Sequence, residues 1–146
     1  MNAETDITLE LAARLRWALV RMARRLRQEA GSGIGPSLTA ALATVERHGP
    51  LTPSELAERE AIKRPAATRI VARLEEEGLV ARSADPDDGR VALIAATAAG
   101  SELLAAARAR KNEYLARRLA ELDADDLAAV ARTADVLERL LEDGRR

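Results

Sequence analysis

Leu51-Thr52-Pro53-Ser54-Glu55-Leu56 is a complete helix start written in six residues. Thr52 carries the short hydroxyl side chain that accepts from an unpartnered first-turn amide. Pro53 suits the first helical position, where the N–H it lacks would have no partner. Glu55, three residues after Thr52, can reach back to close a capping box, and Leu51 and Leu56 are placed for a hydrophobic staple. The helix so begun is short and ends near Glu60, with Ala61-Ile62 as the turn after it. A second helix is predicted from Arg64-Pro65 to Glu77, with Ala67, Ile70, Val71 and Leu74 facing inward and Gly78 as its stop. Leu79–Ser83 and Val91–Ala95 are strand candidates. Asp85-Pro86-Asp87-Asp88-Gly89 between them is dense in turn residues, so the pair reads as a hairpin.

Outward from this centre the chain is helical. Leu11, Leu15, Leu19, Met22 and Leu26 place one apolar stripe on a first helix, and Gly31-Ser32-Gly33-Ile34-Gly35 breaks it. A further helix has Pro36 early and Leu38, Leu42 and Val45 inward. His48-Gly49-Pro50 stops it, since Gly suits the position just past a helix and Pro cannot continue one. After the hairpin, Thr97 can cap a long helix over roughly 97–120. Asp123 can cap a last one, with Leu127, Val130, Ala134, Leu137 and Leu141 at spacings of three and four. The fold class expected is mainly α with a small β-hairpin wing. A winged helix-turn-helix over 35–96 would be flanked by dimerisation helices over 1–34 and 97–146.

Composition narrows the function. With 146 residues, 47% of them hydrophobic and 32% charged, the chain can bury a core and is not disordered throughout. Aromatics are nearly absent, Trp17 and Tyr114 being the two, so the core must be aliphatic. The absence of cysteine excludes disulfides, thiolate metal sites and thiol redox sensing. Residues 1–10 do not form a secretory signal, and no stretch approaches the ~20 apolar residues of a membrane span. A cytoplasmic protein with no membrane partner is expected.

The net charge of −1 conceals a segregation of charge by element. Residues 14–27 hold six Arg and no acid, residues 121–143 hold eight acids and two Arg, and residues 63–73 hold Lys63, Arg64, Arg69 and Arg73 with no acid. Two short helices, a tight turn and a hairpin describe a winged helix-turn-helix, whose second helix enters the major groove. Lys63 and Arg64 stand at the start of that helix, and Arg69 and Arg73 are four apart on one face. Thr68 and the small Ala66 permit close approach. Arg can take guanine bidentately, and Lys and Arg both neutralise phosphate. Arg90 on the wing, beside Asp88 and Gly89, suits the minor groove, with Asp88 as a partner that can hold it in place.

This sequence resembles the MarR-type regulators over about Thr52 to Gly100. The residues that carry the resemblance are Leu51-Thr52-Pro53-Ser54-Glu55-Leu56-Ala57, Thr68-Arg69-Ile70-Val71 with Leu74-Glu75, and Gly78-Leu79-Val80-Ala81-Arg82. They continue through Asp85-Pro86-Asp87-Asp88-Gly89-Arg90 to Thr97-Ala98-Ala99-Gly100. The resemblance implies a homodimer with interleaved first and last helices, binding palindromic double-stranded DNA, usually as a repressor. It implies groove-facing positions at Thr68 and Arg69, Arg90 as the wing arginine and Asp88 as its partner. It also implies release by a small, often aromatic, ligand bound between the DNA-binding lobe and the dimer helices. Lys63-Arg64-Pro65 departs from the Ser, Thr or Asp that often caps the recognition helix. Gly89 stands where many members carry Arg or Lys.

Other chemistries find little support. The glycines of 31–35 lack the following Lys-Ser/Thr and the preceding strand of a phosphate loop. His48 is the single histidine, so neither a metal nor another cofactor is expected. Asp125-Asp126 read as first-turn acids favoured by the helix dipole. Trp17 and Tyr114 fit packing between dimer helices better than a pocket. No nucleophile, base and orienting group can be nominated, so an enzyme is not expected. The alternative from another class is a non-DNA-binding winged-helix module for protein contacts, which predicts acidic or apolar residues where Lys63, Arg64, Arg69 and Arg73 stand.

Overall fold

A computed structural model describes residues 3–143. The outermost residues of the expected 1–34 and 97–146 segments, 1–2 and 144–146, lie outside the described residues. The elements in order are α1 (Ala3–Ala30), α2 (Pro36–His48), α3 (Pro53–Arg59), α4 (Arg64–Glu76), β1 (Val80–Ala84), β2 (Ala92–Ala96), α5 (Ala98–Leu119) and α6 (Ala124–Asp143). The chain divides into two compact units within α5, the first running to Lys111 and the second beginning at Asn112.

In the first unit, α2, α3, α4 and the hairpin close over one aliphatic core. Leu42, Val45, Leu56, Val71, Leu74 and Ile94 are its largest fully buried side chains. Each such side chain contributes about 1.5–3 kcal/mol on leaving water. Ile70, expected inward, is half-buried at the margin of this core. The capping box forms as its residues dictate: Glu55 N–H donates to Thr52 Oγ1 at 3.1 Å and Thr52 N–H to Glu55 Oε2 at 2.7 Å. The Thr52 backbone amide, and secondarily the Thr52 side chain, hold the Glu55 carboxyl below its usual range. Leu51 and Leu56 are both buried.

The hairpin is antiparallel, with Val80 opposite Ala96 and Ala84 opposite Ala92. Both strands start one residue later than the sequence reading placed them, because neighbouring turns use the missing amides. Leu79 N–H donates to Leu74 O at 2.9 Å to close α4, and Val91 N–H donates to Asp88 O at 2.9 Å to close the tip. Leu51 adds a one-residue bridge to Ile94, with bonds of 3.0 and 2.8 Å, tying the start of α3 to the wing. Gly49 ends α2 in an extended conformation, with φ −69°, not a left-handed one. Glycine fits there because a Cβ would stand 2.5 Å from Val45 O. Thr97 caps α5 by accepting from Gly100 N–H at 3.1 Å, and its own hydroxyl donates to Gly78 O at 2.7 Å.

The long first helix α1 keeps most of its apolar stripe uncovered: Leu11, Leu19 and Met22 are exposed, and Leu15 and Leu26 half-buried. Trp17 is exposed too, with Arg16 5.4 Å from its ring centre. In the second unit, α6 begins as expected, Asp123 Oδ1 accepting from Asp126 N–H at 2.8 Å. Its Leu127, Val130, Leu140 and Leu141 are exposed and Leu137 half-buried. Among the described residues no helix is long and apolar enough to cross a membrane, and no group of His, Cys, Asp or Glu is arranged to hold a metal.

Candidate nucleic-acid interface

The turn between α3 and α4 decides where α4 points. Ile62 N–H donates to Ala57 O at 2.9 Å and Ala61 N–H to Glu58 O at 3.2 Å. This is a Schellman closure with Ala61 in the left-handed position, at φ 52°. Alanine is uncommon there, since its Cβ crowds the following carbonyl. Thr44 Oγ1 donates to the Glu60 carboxylate beside this turn and anchors it to α2.

Lys63 occupies the cap of α4 and offers no side-chain cap bond, so the departure noted in the sequence leaves the helix start to the Lys63 carbonyl, which accepts from Ala66 and Ala67 N–H. Ala67, Val71 and Leu74 bury one face of α4 completely. Arg69 lies about 160° around the helix from the Ala67–Leu74 line at 3.6 residues per turn, and it is exposed. Lys63, Arg64 and Thr68 are exposed and Ala66 half-buried. Thr68 Oγ1 donates to Arg64 O at 3.1 Å, and its hydroxyl retains lone pairs for another donor. Lys63, Arg64 and Arg69 make no ion pair among the described residues. Arg73, on the same face as Arg69, instead bridges Glu76 at 3.1 Å and Glu77 at 2.8 Å.

The wing presents Arg90 with its side chain 91% exposed. Asp88 receives three bonds from it: backbone N–H and Nε to Oδ1, each at 3.1 Å, and Nη2 to Oδ2 at 3.4 Å. The Arg90 side chain, and secondarily its backbone amide, hold the Asp88 carboxyl below its usual range. Asp88 thus orients the arginine on an otherwise bare tip.

Sequence reasoning missed the strut between wing and helix. Arg82 of β1 donates through Nε and Nη2 to both carboxylate oxygens of Glu75 in α4, each at 3.0 Å. The pairing lowers the Glu75 pKa and raises that of Arg82. Both residues stood in the sequence motif, but helix and strand periodicities give no sign that they meet.

The sequence pattern of the MarR family matches residues 35–92, the segment from the start of α2 to the start of β2. An uncharacterized HTH-type transcriptional regulator of Mycobacterium bovis is 36% identical over 139 residues, covering 94% of this chain and 97% of that one. The HTH-type transcriptional repressor MdtR of Bacillus subtilis is 29% identical, covering 94% and 87%. The crystal structure of a Pseudomonas aeruginosa protein assigned as a transcriptional regulator superposes with a TM-score of 0.80 at 34% identity, over 92% of this chain and 95% of that one. Helix-turn-helix, wing and near full-length similarity agree, and the chain belongs to the MarR family of transcriptional regulators.

Proposed function

We propose that this chain regulates transcription by binding double-stranded DNA sequence-specifically, as a homodimer on a palindromic operator, with repression as the outcome. The observation that carries this reading is the set of exposed cations on α4, Lys63 and Arg64 at its start and Arg69 on the side away from its buried face, none of them in an ion pair among the described residues. Thr68 and Ala66 give this face its close approach to bases, and Arg73 lends charge once Glu76 and Glu77 release it. Arg90, held by Asp88, reads the minor groove. Residues 35–96 form the DNA-binding part, while 1–34 and 97–146 supply the dimer helices. The location is cytoplasmic, and a small molecule releases the DNA.

Titration of wild-type protein, Arg69→Ala and Arg90→Ala on DNA from upstream of its own coding sequence, and on a scrambled duplex, tests the proposal. Arg69→Ala is expected to cost roughly 1–3 kcal/mol per half-site and to relax sequence preference. Arg90→Ala is expected to weaken both duplexes more evenly, with a salt dependence shallower by about one ion per half-site. Wild-type affinity in both variants removes helix and wing from the mechanism.

A further inference from the structure

The first compact unit contains a cavity of about 500 Å³, bounded by the end of α1, the 31–35 linker, α2 and α5. Its size suits a small organic molecule. Much of its apolar lining is small: Ala40, Ala43 and Ala107, with Leu104 the largest. The charges around it come from three helices: Arg27 from α1, Arg47 from α2, and Arg108 and Lys111 from α5. Among the described lining residues there is no acid and no aromatic ring.

Only Arg108 of the four has an ion pair among the described residues, to Glu46 at 3.0 Å. Four cations against one carboxylate leave three positive charges uncompensated around one hollow. Arg27, Arg47 and Arg108 are exposed, so solvent screens their mutual repulsion, and an anion in the cavity would supply the missing opposite charge. The wall is fixed in advance: Arg110 of α5 donates to the Ala30 carbonyl and, at 3.3 Å, to Gly31 O, holding the end of α1 and the linker to α5. A ligand therefore meets a formed site rather than ordering one.

We propose that this cavity binds a non-aromatic organic polyanion bearing two or three carboxylate or phosphate groups. This deepens the reading of the chain as a ligand-released regulator and rests on it for the regulatory outcome. The guanidinium fork matches carboxylate and phosphate oxygens in pairs, so Arg27, Arg47 and Arg108 can each take one anionic group. An aromatic ligand would find no ring to stack on and a lining made largely of alanine.

The test uses the full chain, with citrate as tricarboxylate, fructose 1,6-bisphosphate as phosphate ester, salicylate as aromatic monoanion and glucose as neutral control, at matched ionic strength. Binding is read by calorimetry and by the shift of thermal melting, without DNA. Citrate or the bisphosphate is expected to bind saturably, at least tenfold tighter than salicylate, and whichever is tighter identifies the group recognised. Arg47→Ala with Lys111→Ala is expected to lower that affinity at least tenfold, and Arg47→Lys to restore part of it. Tighter binding of salicylate, no saturable polyanion binding, or unchanged affinity in the double variant would overturn the proposal. Operator release by the same anions is measured separately. Binding without release would keep the site and overturn its regulatory role, whereas failure to bind any operator would leave the cavity result standing.

Discussion

The winged segment and the first helix use leucine in the same periodic way and bury it to opposite extents. Leu42, Leu56 and Leu74 have no exposed surface, whereas Leu11 of α1 is 58% exposed and Leu19 is 47% exposed. In its own unit α6 repeats the pattern of α1, with Leu140 and Leu141 open to solvent. An amphipathic stripe promises that a face will be covered, and the chain's own elements cover only the first of these. The proposed second copy is what the other two faces fit, since contiguous exposed apolar surface marks an interaction site.

Substitution on the covered side should have the largest effect. Leu56→Ala is expected to destabilise the protein by about 2–5 kcal/mol, the range for truncating a buried leucine, read as a lower midpoint in urea melts. On the uncovered side, Leu19→Glu is expected to weaken self-association by roughly a hundredfold or more, each copy losing about 1.5–3 kcal/mol of burial. Sedimentation at micromolar concentration would show a monomer whose winged segment stays folded. A Leu19→Glu dimer as tight as wild type would place the partner surface elsewhere.

The strut between helix and wing is half exposed, so its effect is smaller, up to about 1 kcal/mol for an ion pair at the surface. Glu75 titrates below its ordinary 4.5 when folded, so its contribution is complete above that pH and is lost as pH falls through the folded value. Glu75→Gln is therefore expected to lower the neutral-pH stability by up to about 1 kcal/mol, to match wild type at acid pH where Glu75 is protonated, and so to flatten the acid side of the stability profile. It should also weaken operator binding, because the wing loses its alignment to α4. The smallest effect concerns Ala61. Ala61→Gly relieves left-handed strain but loosens the unfolded chain, for a net stabilisation of about 0.5 kcal/mol in thermal melts. Destabilisation by this change would mean that the Ala61 methyl packs more than it strains.

Local signals were the legible ones. The capping box at Thr52 and Glu55, the caps at Thr97 and Asp123 and the stop at Gly78 each depend on residues within a few positions of one another, and all formed. Strand ends were misplaced because Leu79 and Val91 spend their amides on turns that alternation does not reveal. Ala61 gave no warning, since left-handed positions are usually signalled by Gly or Asn. Arg73 with Glu76 and Glu77 lay at the readable spacings of three and four, yet the basic count overshadowed them. The cations of the cavity come from three helices, the first and last 84 positions apart (Lys111 less Arg27), and only tertiary folding brings them to one place.

Gly100 lies so near the turn after α4 that a Cβ on it would stand 2.2 Å from Leu79 O. Thr97 spans the same junction, its N–H donating to Leu79 O at 3.0 Å and its hydroxyl to Gly78 O. Backbone meets backbone here, with the Leu42 side chain packed beside the contact. Side chains can change rotamer and absorb a small displacement, but two main chains in contact have no such slack. The first turn of α5 and the turn after α4 therefore behave as a gear tooth and its socket. A shift at one must be delivered whole to the other or must break the Thr97 bonds, and hydrogen exchange at the Thr97 amide distinguishes transmission from slippage.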